Sequence, residues 1–141
     1  MGDRFSFGVV DEGGDVLYLY SHWGGDTWHN DLKGAIWKAG IRSKAPDYAN
    51  RILMSQLIGE SWDRDGGFGF SINNPTDTEY GYIPIVDFHK STVTFYEFKD
   101  ELGDAILKLS ILDYISTDDE IHAMLRYAQG ILEEARPDVT V

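Results

Sequence analysis

Phe5-Ser6-Phe7-Gly8-Val9-Val10-Asp11-Glu12-Gly13-Gly14-Asp15-Val16-Leu17-Tyr18-Leu19-Tyr20-Ser21 decides how the chain is read. From Arg4 to Val10, Phe5, Phe7 and Val9 alternate with Ser6, Gly8 and Val10. From Val16 to Ser21, Val16, Tyr18 and Tyr20 alternate with Leu17, Leu19 and Ser21. A period of two is that of a strand, whose successive side chains point to opposite faces. Asp11-Glu12-Gly13-Gly14-Asp15 supplies the residues of a hairpin turn between them.

Downstream the period changes. Asn30 is placed to cap a helix through Gly40, with Leu32, Ile36 and Ala39 on one face and Trp37 off it, where it marks an interface. Pro46 suits a first helical position, and Tyr48, Ala49, Ile52, Leu53 and Leu57 form a stripe that stops at Gly59. Strands return over 68–72, 83–88, 92–98 and 106–115. The last rests on Leu107, Leu109, Ile111 and Ile115 sharing a face, a pattern that favours strand and leaves helix open. Thr117-Asp118-Asp119-Glu120 reads as a capping box, opening a helix with Ile121, Met124, Leu125, Ala128, Leu132 and Ala135 on its apolar side and Pro137 at its end. The expected fold is α+β, a single domain over 1–141. It has an antiparallel or mixed sheet of about six strands, two central helices and a C-terminal helix, in the order β-β-α-α-β-β-β-β-α.

The chain has no cysteine, so disulfides, a thiolate nucleophile and cysteine-based metal sites are excluded, and a reducing cytoplasm fits. No run of about 18 apolar residues suggests a membrane span. A net charge of -12 repels phosphate backbones and argues against direct nucleic-acid binding. The charge is uneven. Lys33, Lys38, Arg42, Lys44 and Arg51 stand against Asp47 alone between residues 33 and 51, whereas the last third is strongly acidic.

His22, Asp26, His29 and Asp31 offer imidazoles and carboxylates, but their spacing lacks the i, i+4 histidine pair of a helical metal site, and no metal or cofactor is expected. Ser21 and His22 are neighbours on a strand, so their side chains diverge, and no Gly-x-Ser-x-Gly elbow supports a nucleophile. Glu60, Asp63, Asp65, Asp77 and Glu79 are carboxylates that an acidic protein would carry anyway. Gly66-Gly67-Phe68-Gly69 lacks the Lys and Ser/Thr of a phosphate loop, and its glycines suit a sheet face covered by Trp23 or Trp62. Trp23, Trp28, Tyr48 and Trp62, flanked by Arg4, Arg51 and Arg64, form the better set: aromatic faces stack a planar ring and guanidinium groups hold phosphates.

Four pieces, Met1-Gly2-Asp3-Arg4, Tyr18 through Gly25, Tyr48 with Arg51, and Gly67 through Ser71, resemble a family of small proteins of bacteriophages and actinobacteria. The likeness covers about the first 90 residues and brings no established activity with it. It implies a phage or bacterial origin and the cytoplasm of a bacterial host. The leading expectation is a non-catalytic accessory protein that sequesters a small anionic, nucleotide-like ligand, with an anti-defence role by analogy. Its binding residues are expected to be Arg4, Ser21, His22, Trp23, Gly24, Gly25, Tyr48, Arg51, Gly67 and Gly69. One alternative is an inhibitor that sets its acidic surface against a basic host protein. The other is a small hydrolase using His22 with a nearby carboxylate or serine. The sequence leaves self-association open.

Overall fold

Alternation and turn chemistry produce the expected sheet. The computed structural model describes residues 3–75 and 77–135, so the Met1-Gly2 start and the stop at Pro137 lie outside the described residues. β1 (Phe5–Val10) and β2 (Val16–Ser21) form the hairpin, with Asp11 Oδ1 accepting from the Asp15 N–H at 2.9 Å and Gly14 taking a φ of 90° in the turn. β3 (Phe68–Ile72), β4 (Tyr82–Asp87), β5 (Thr92–Lys99) and β6 (Glu101–Ser110) complete one six-stranded sheet in the order β3-β2-β1-β4-β5-β6. It is mixed: β1 and β4 run parallel, bridged at Gly8↔Ile85 and Val9↔Val86, and the other four neighbour pairs are antiparallel.

Helices α1 (Trp28–Ala39), α2 (Pro46–Ile58), α3 (Ile111–Ile115) and α4 (Glu120–Ala135) cover one face of the sheet. Phe5, Phe7, Val9, Leu19, Val93 and Phe95 from the strands meet Leu32, Ile36, Leu53, Tyr114, Ile121 and Leu125 from the helices in one buried cluster. Trp28 lies at its centre, its ring stacked 5.1 Å from Phe5 at an interplanar angle of 9°. Truncating a side chain so placed typically costs about 3–5 kcal/mol. Asn50 pins α2 to the sheet by donating to the Val10 carbonyl at 2.9 Å. The opposite face holds a smaller cluster of Tyr18, Ile83, Ile85 and Phe98, to which no described helix contributes.

Three local expectations are corrected. The segment 106–115 is not one strand, because β6 ends at Ser110 and α3 begins at Ile111, adding a short helix to the expected order. The cause is local: Ser110 Oγ accepts from the Asp113 N–H at 3.0 Å, an N-cap that turns the chain and carries Tyr114 into the core. α1 starts two residues before Asn30, which leaves Asn30 inside the first turn. At α4, Glu120 accepts from the Asp118 N–H at 2.7 Å, while the Thr117 hydroxyl and the Thr117 N–H both donate backward to the Tyr114 carbonyl, at 2.6 and 3.0 Å, so the expected reciprocal capping box does not form. Pro46 does open α2, and Gly59 follows its last turn with a φ of 61°. None of the helices among the described residues is long and apolar enough to cross a membrane.

Candidate functional site

The residues expected to share one ligand fall in separate places. Arg4 is held by carboxylates, with Nε 2.6 Å from Asp77 and Nη2 3.4 Å from Glu79. At the Ser21–Gly25 corner the backbone is tied on both sides, since the Asp3 N–H donates to the His22 carbonyl and the His22 N–H to the Gly67 carbonyl, each at 2.9 Å. The Gly25 N–H donates to the Asp3 carbonyl at 2.8 Å, and the residue is buried where a Cβ would come within 2.6 Å of both Asp3 Oδ1 and Tyr80 Cε1. The Tyr80 hydroxyl donates to Asp3 at 2.8 Å, and burial, then that carboxylate, pushes its pKa well above the ordinary tyrosine value. A Cβ on Gly24 would meet the Ser21 hydroxyl. This half of the corner is therefore a brace that needs glycine to close.

The other half opens on a cleft of about 320 Å³ lined by Ser21, Trp23, Gly24, Asp31, Gly67 and Phe68, among others. His22 shares a 2.9 Å hydrogen bond with the Tyr20 hydroxyl and sets its ring edge-on to Trp23 at 4.4 Å. No cation is among the described lining residues and Asp31 is, so the cleft does not attract an anion. Tyr48 is elsewhere, under the Arg42 guanidinium at 4.8 Å. Arg51 lines a second groove of about 460 Å³ between α2 and β3 with Trp62 and Phe70, whose rings meet edge-on at 6.3 Å, but Asp11, Asp15 and Asp47 line it too. The expected tryptophan cover of the glycines holds only at Gly67, where a Cβ would sit 3.3 Å from Trp23; Gly69 faces open space, and Trp62 lies against Phe70 on the other side of the sheet. Trp28, expected in the stacking set, is core.

His29 is no metal ligand. Its Nε2 faces the Thr117 carbonyl at 3.3 Å and its Nδ1 the Tyr114 hydroxyl at 2.8 Å, in a buried site. Burial lowers its pKa from the ordinary histidine value. Among the described residues no group of three or more His, Asp or Glu side chains is placed to hold a metal.

Another concavity lies where the sequence marked only Trp37. A groove of about 530 Å³ runs between the C-terminal end of α1, the 3-10 turn Gly40–Arg42 and α3, with Ile36, Phe88, Ile111 and Ile115 along it. Trp37, Ile41 and Leu112 stand 72%, 84% and 74% exposed on its walls. The volume is that of an ordinary ligand or side-chain site, and the walls are mostly apolar, with Ser43, Ser91 and Ser110 among them. Lys38, Arg42 and Lys44 alternate in sequence with Trp37, Ile41 and Ser43 of its lining and are exposed, a basic margin on a chain of net charge -12. No family model, curated protein or solved structure matches the chain.

Proposed function

We propose that this is a binding protein, not an enzyme, and that it captures a protein partner in the groove between α1 and α3. The observation that carries the proposal is the exposure of Trp37, Ile41 and Leu112 around one apolar concavity. Together they form a patch on the order of 400 Å², the size at which exposed apolar surface marks an interaction site. The fitting occupant is an amphipathic helix whose apolar anchors enter the groove and whose acidic flank meets Lys38, Arg42 and Lys44. This keeps the expectation of a host-protein inhibitor but moves its contact from the acidic last third to a basic, apolar face. The likeness to small phage proteins suits an accessory role of that kind.

Selection from a displayed library of helical peptides tests it. Binders should carry apolar residues at i, i+3 or i+4, and i+7 with acidic neighbours, and should lose at least about tenfold in affinity for an Ile41→Asp, Leu112→Asp double variant that unfolds at the wild-type temperature. Binders indifferent to that variant would place the site elsewhere.

A second reading, capture of a nucleotide-like ligand, is favoured by Arg51, Trp62 and Phe70 lining one groove. Its three carboxylates work against a free anion. Thermal unfolding with linear and cyclic nucleotides checks it, because a ligand at a hundredfold excess over its dissociation constant adds about 2.7 kcal/mol. A shift abolished by Trp62→Ala would move the reading to that groove.

A further inference from the structure

The two edges of the sheet are built differently. β6 carries Glu101, Asp104 and Lys108 and pairs with β5 through two register shifts. Charges and bulges are the usual means of stopping an edge from pairing with another chain. β3, at the other end, runs Phe68-Gly69-Phe70-Ser71-Ile72 without a charge, a proline or a shift of register.

The backbone of β3 is also aimed outward. The His22 N–H to Gly67 carbonyl and Asn73 N–H to Val16 carbonyl bonds mark 22/67 and 16/73 as hydrogen-bonded pairs of the β2–β3 ladder. Antiparallel pairs alternate, so Gly69 and Ser71 turn their N–H and C=O groups toward β2 while Phe68, Phe70 and Ile72 turn theirs away from the sheet. The side chains of those three residues lie on the helix-bearing face, 36%, 49% and 68% exposed, beside Trp62 at 59%.

We infer that β3 pairs antiparallel with β3 of a second copy of this chain, about a two-fold axis through Phe70. The strand is self-complementary in that register. Phe70 faces its own copy, Phe68 faces Ile72 and Gly69 faces Ser71, so each exposed apolar side chain meets another on the same face and no charges are opposed. The outward N–H and C=O groups of Phe68, Phe70 and Ile72 then bond across the axis. A strand from an unrelated chain would draw no advantage from this palindromic order.

Area sets the strength. With aromatic side chains burying about 150–250 Å² each, the exposed parts of Phe68, Phe70, Ile72 and Trp62 amount to about 400 Å² per copy. Two copies bury about 800 Å², to which the paired backbone adds, against about 1,200–2,000 Å² for stable specific interfaces. The dimer is therefore weak and concentration-dependent. A charge of -12 on each copy opposes it, so added salt strengthens it.

Sedimentation velocity from micromolar to millimolar chain tests the inference. The wild type should pass from monomer to dimer, with Phe70→Lys and Phe70→Glu each raising the dissociation constant at least about tenfold by setting like charges opposite each other. Mixing the two variants should restore the dimer through opposite charges across the axis, a result that a misfolded variant could not give. A wild type that stays monomeric throughout, or a Phe70→Lys variant that dimerises as well as it does, would overturn the inference.

Discussion

Tyr114→Phe removes one oxygen from a fully buried site, and the structure fixes what that oxygen does. His29 Nε2 faces the Thr117 carbonyl at 3.3 Å, and a carbonyl only accepts, so Nε2 carries the proton. Nδ1 must then accept, and the Tyr114 hydroxyl at 2.8 Å is its donor. Burial pushes the pKa of that hydroxyl far above the ordinary tyrosine value, which keeps it a donor throughout the accessible pH range. Lys33 Nζ reaches the same Thr117 carbonyl at 2.5 Å and Asp118 at 3.0 Å, so the remaining members of the network stay paired in the variant. Phenylalanine keeps the ring and leaves Nδ1 without a donor, which costs about 1–3 kcal/mol. For a chain of 141 residues each kcal/mol lowers the melting temperature by about 3–5 °C, so the expected drop is about 3–15 °C. Urea unfolding followed by circular dichroism supplies the free energy. Adding His29→Leu to Tyr114→Phe should cost less than the two single changes summed, because the buried acceptor is removed with its donor. A loss below about 0.5 kcal/mol in Tyr114→Phe would refute the pairing on which this reasoning rests.

The same histidine gives a pH dependence. Burial first, then the charges of Lys33 and His122, hold its folded-state pKa below the ordinary value, outweighing the Thr117 carbonyl and Asp118. The unfolded chain takes up that proton near pH 6.5 while the folded one does not, so the stabilisation is complete above about pH 6.5 and is lost as pH falls from there toward the folded-state value. Melting temperatures between about pH 5.5 and 8 should fall on the acid side in the wild type and less steeply in His29→Gln; parallel curves would deny the coupling. At the corner, Gly25→Ala puts a Cβ 2.6 Å from two side-chain atoms and 2.8 Å from the Asp3 carbonyl, an overpacking worth about 1–3 kcal/mol. Gly69→Ala meets nothing within 4 Å and should be neutral or stabilising by up to about 1 kcal/mol. Equal effects of the two in chemical denaturation would mean that the corner is not a brace.

The strands were legible because their information is local: alternation in Phe5 to Val10 and Val16 to Ser21, and glycine where the turn needs it. The boundary at Ser110 was harder, because Ile111 and Ile115 continue one face of a strand and equally lie one helical turn apart. The deciding signal was Ser110 itself, three residues before the acidic Asp113. The candidate site was much less legible. Polar and aromatic residues at Ser21 to Gly25 resemble a site in sequence, but Gly25 is set by Asp3 and Tyr80, which the turn of the chain brings in from opposite directions. Arg4 had its carboxylates far downstream in Asp77 and Glu79, and His29 found Tyr114 at a separation of 85 residues. Trp37 could be read as off the apolar face of its helix, yet its companions Ile41 and Leu112 come from elements whose meeting no periodicity announces.

The one parallel contact, between β1 and β4, has a kinetic consequence. It divides the sheet into a half whose strands end at Ile72 and a half whose strands begin at Tyr82, so each half is written in one uninterrupted stretch of chain. Every ladder within a half is antiparallel, and the seam that joins them matches only Gly8 with Ile85 and Val9 with Val86. A chain emerging from the ribosome therefore has all the strand partners of its first half before any of β4 exists. The long loop that the seam closes carries the entropy that slows non-local pairing. Gly8 keeps that seam tight, since a methyl group there would sit 3.0 Å from both Ile85 and Val16 and those side chains would have to give by a few tenths of an ångström.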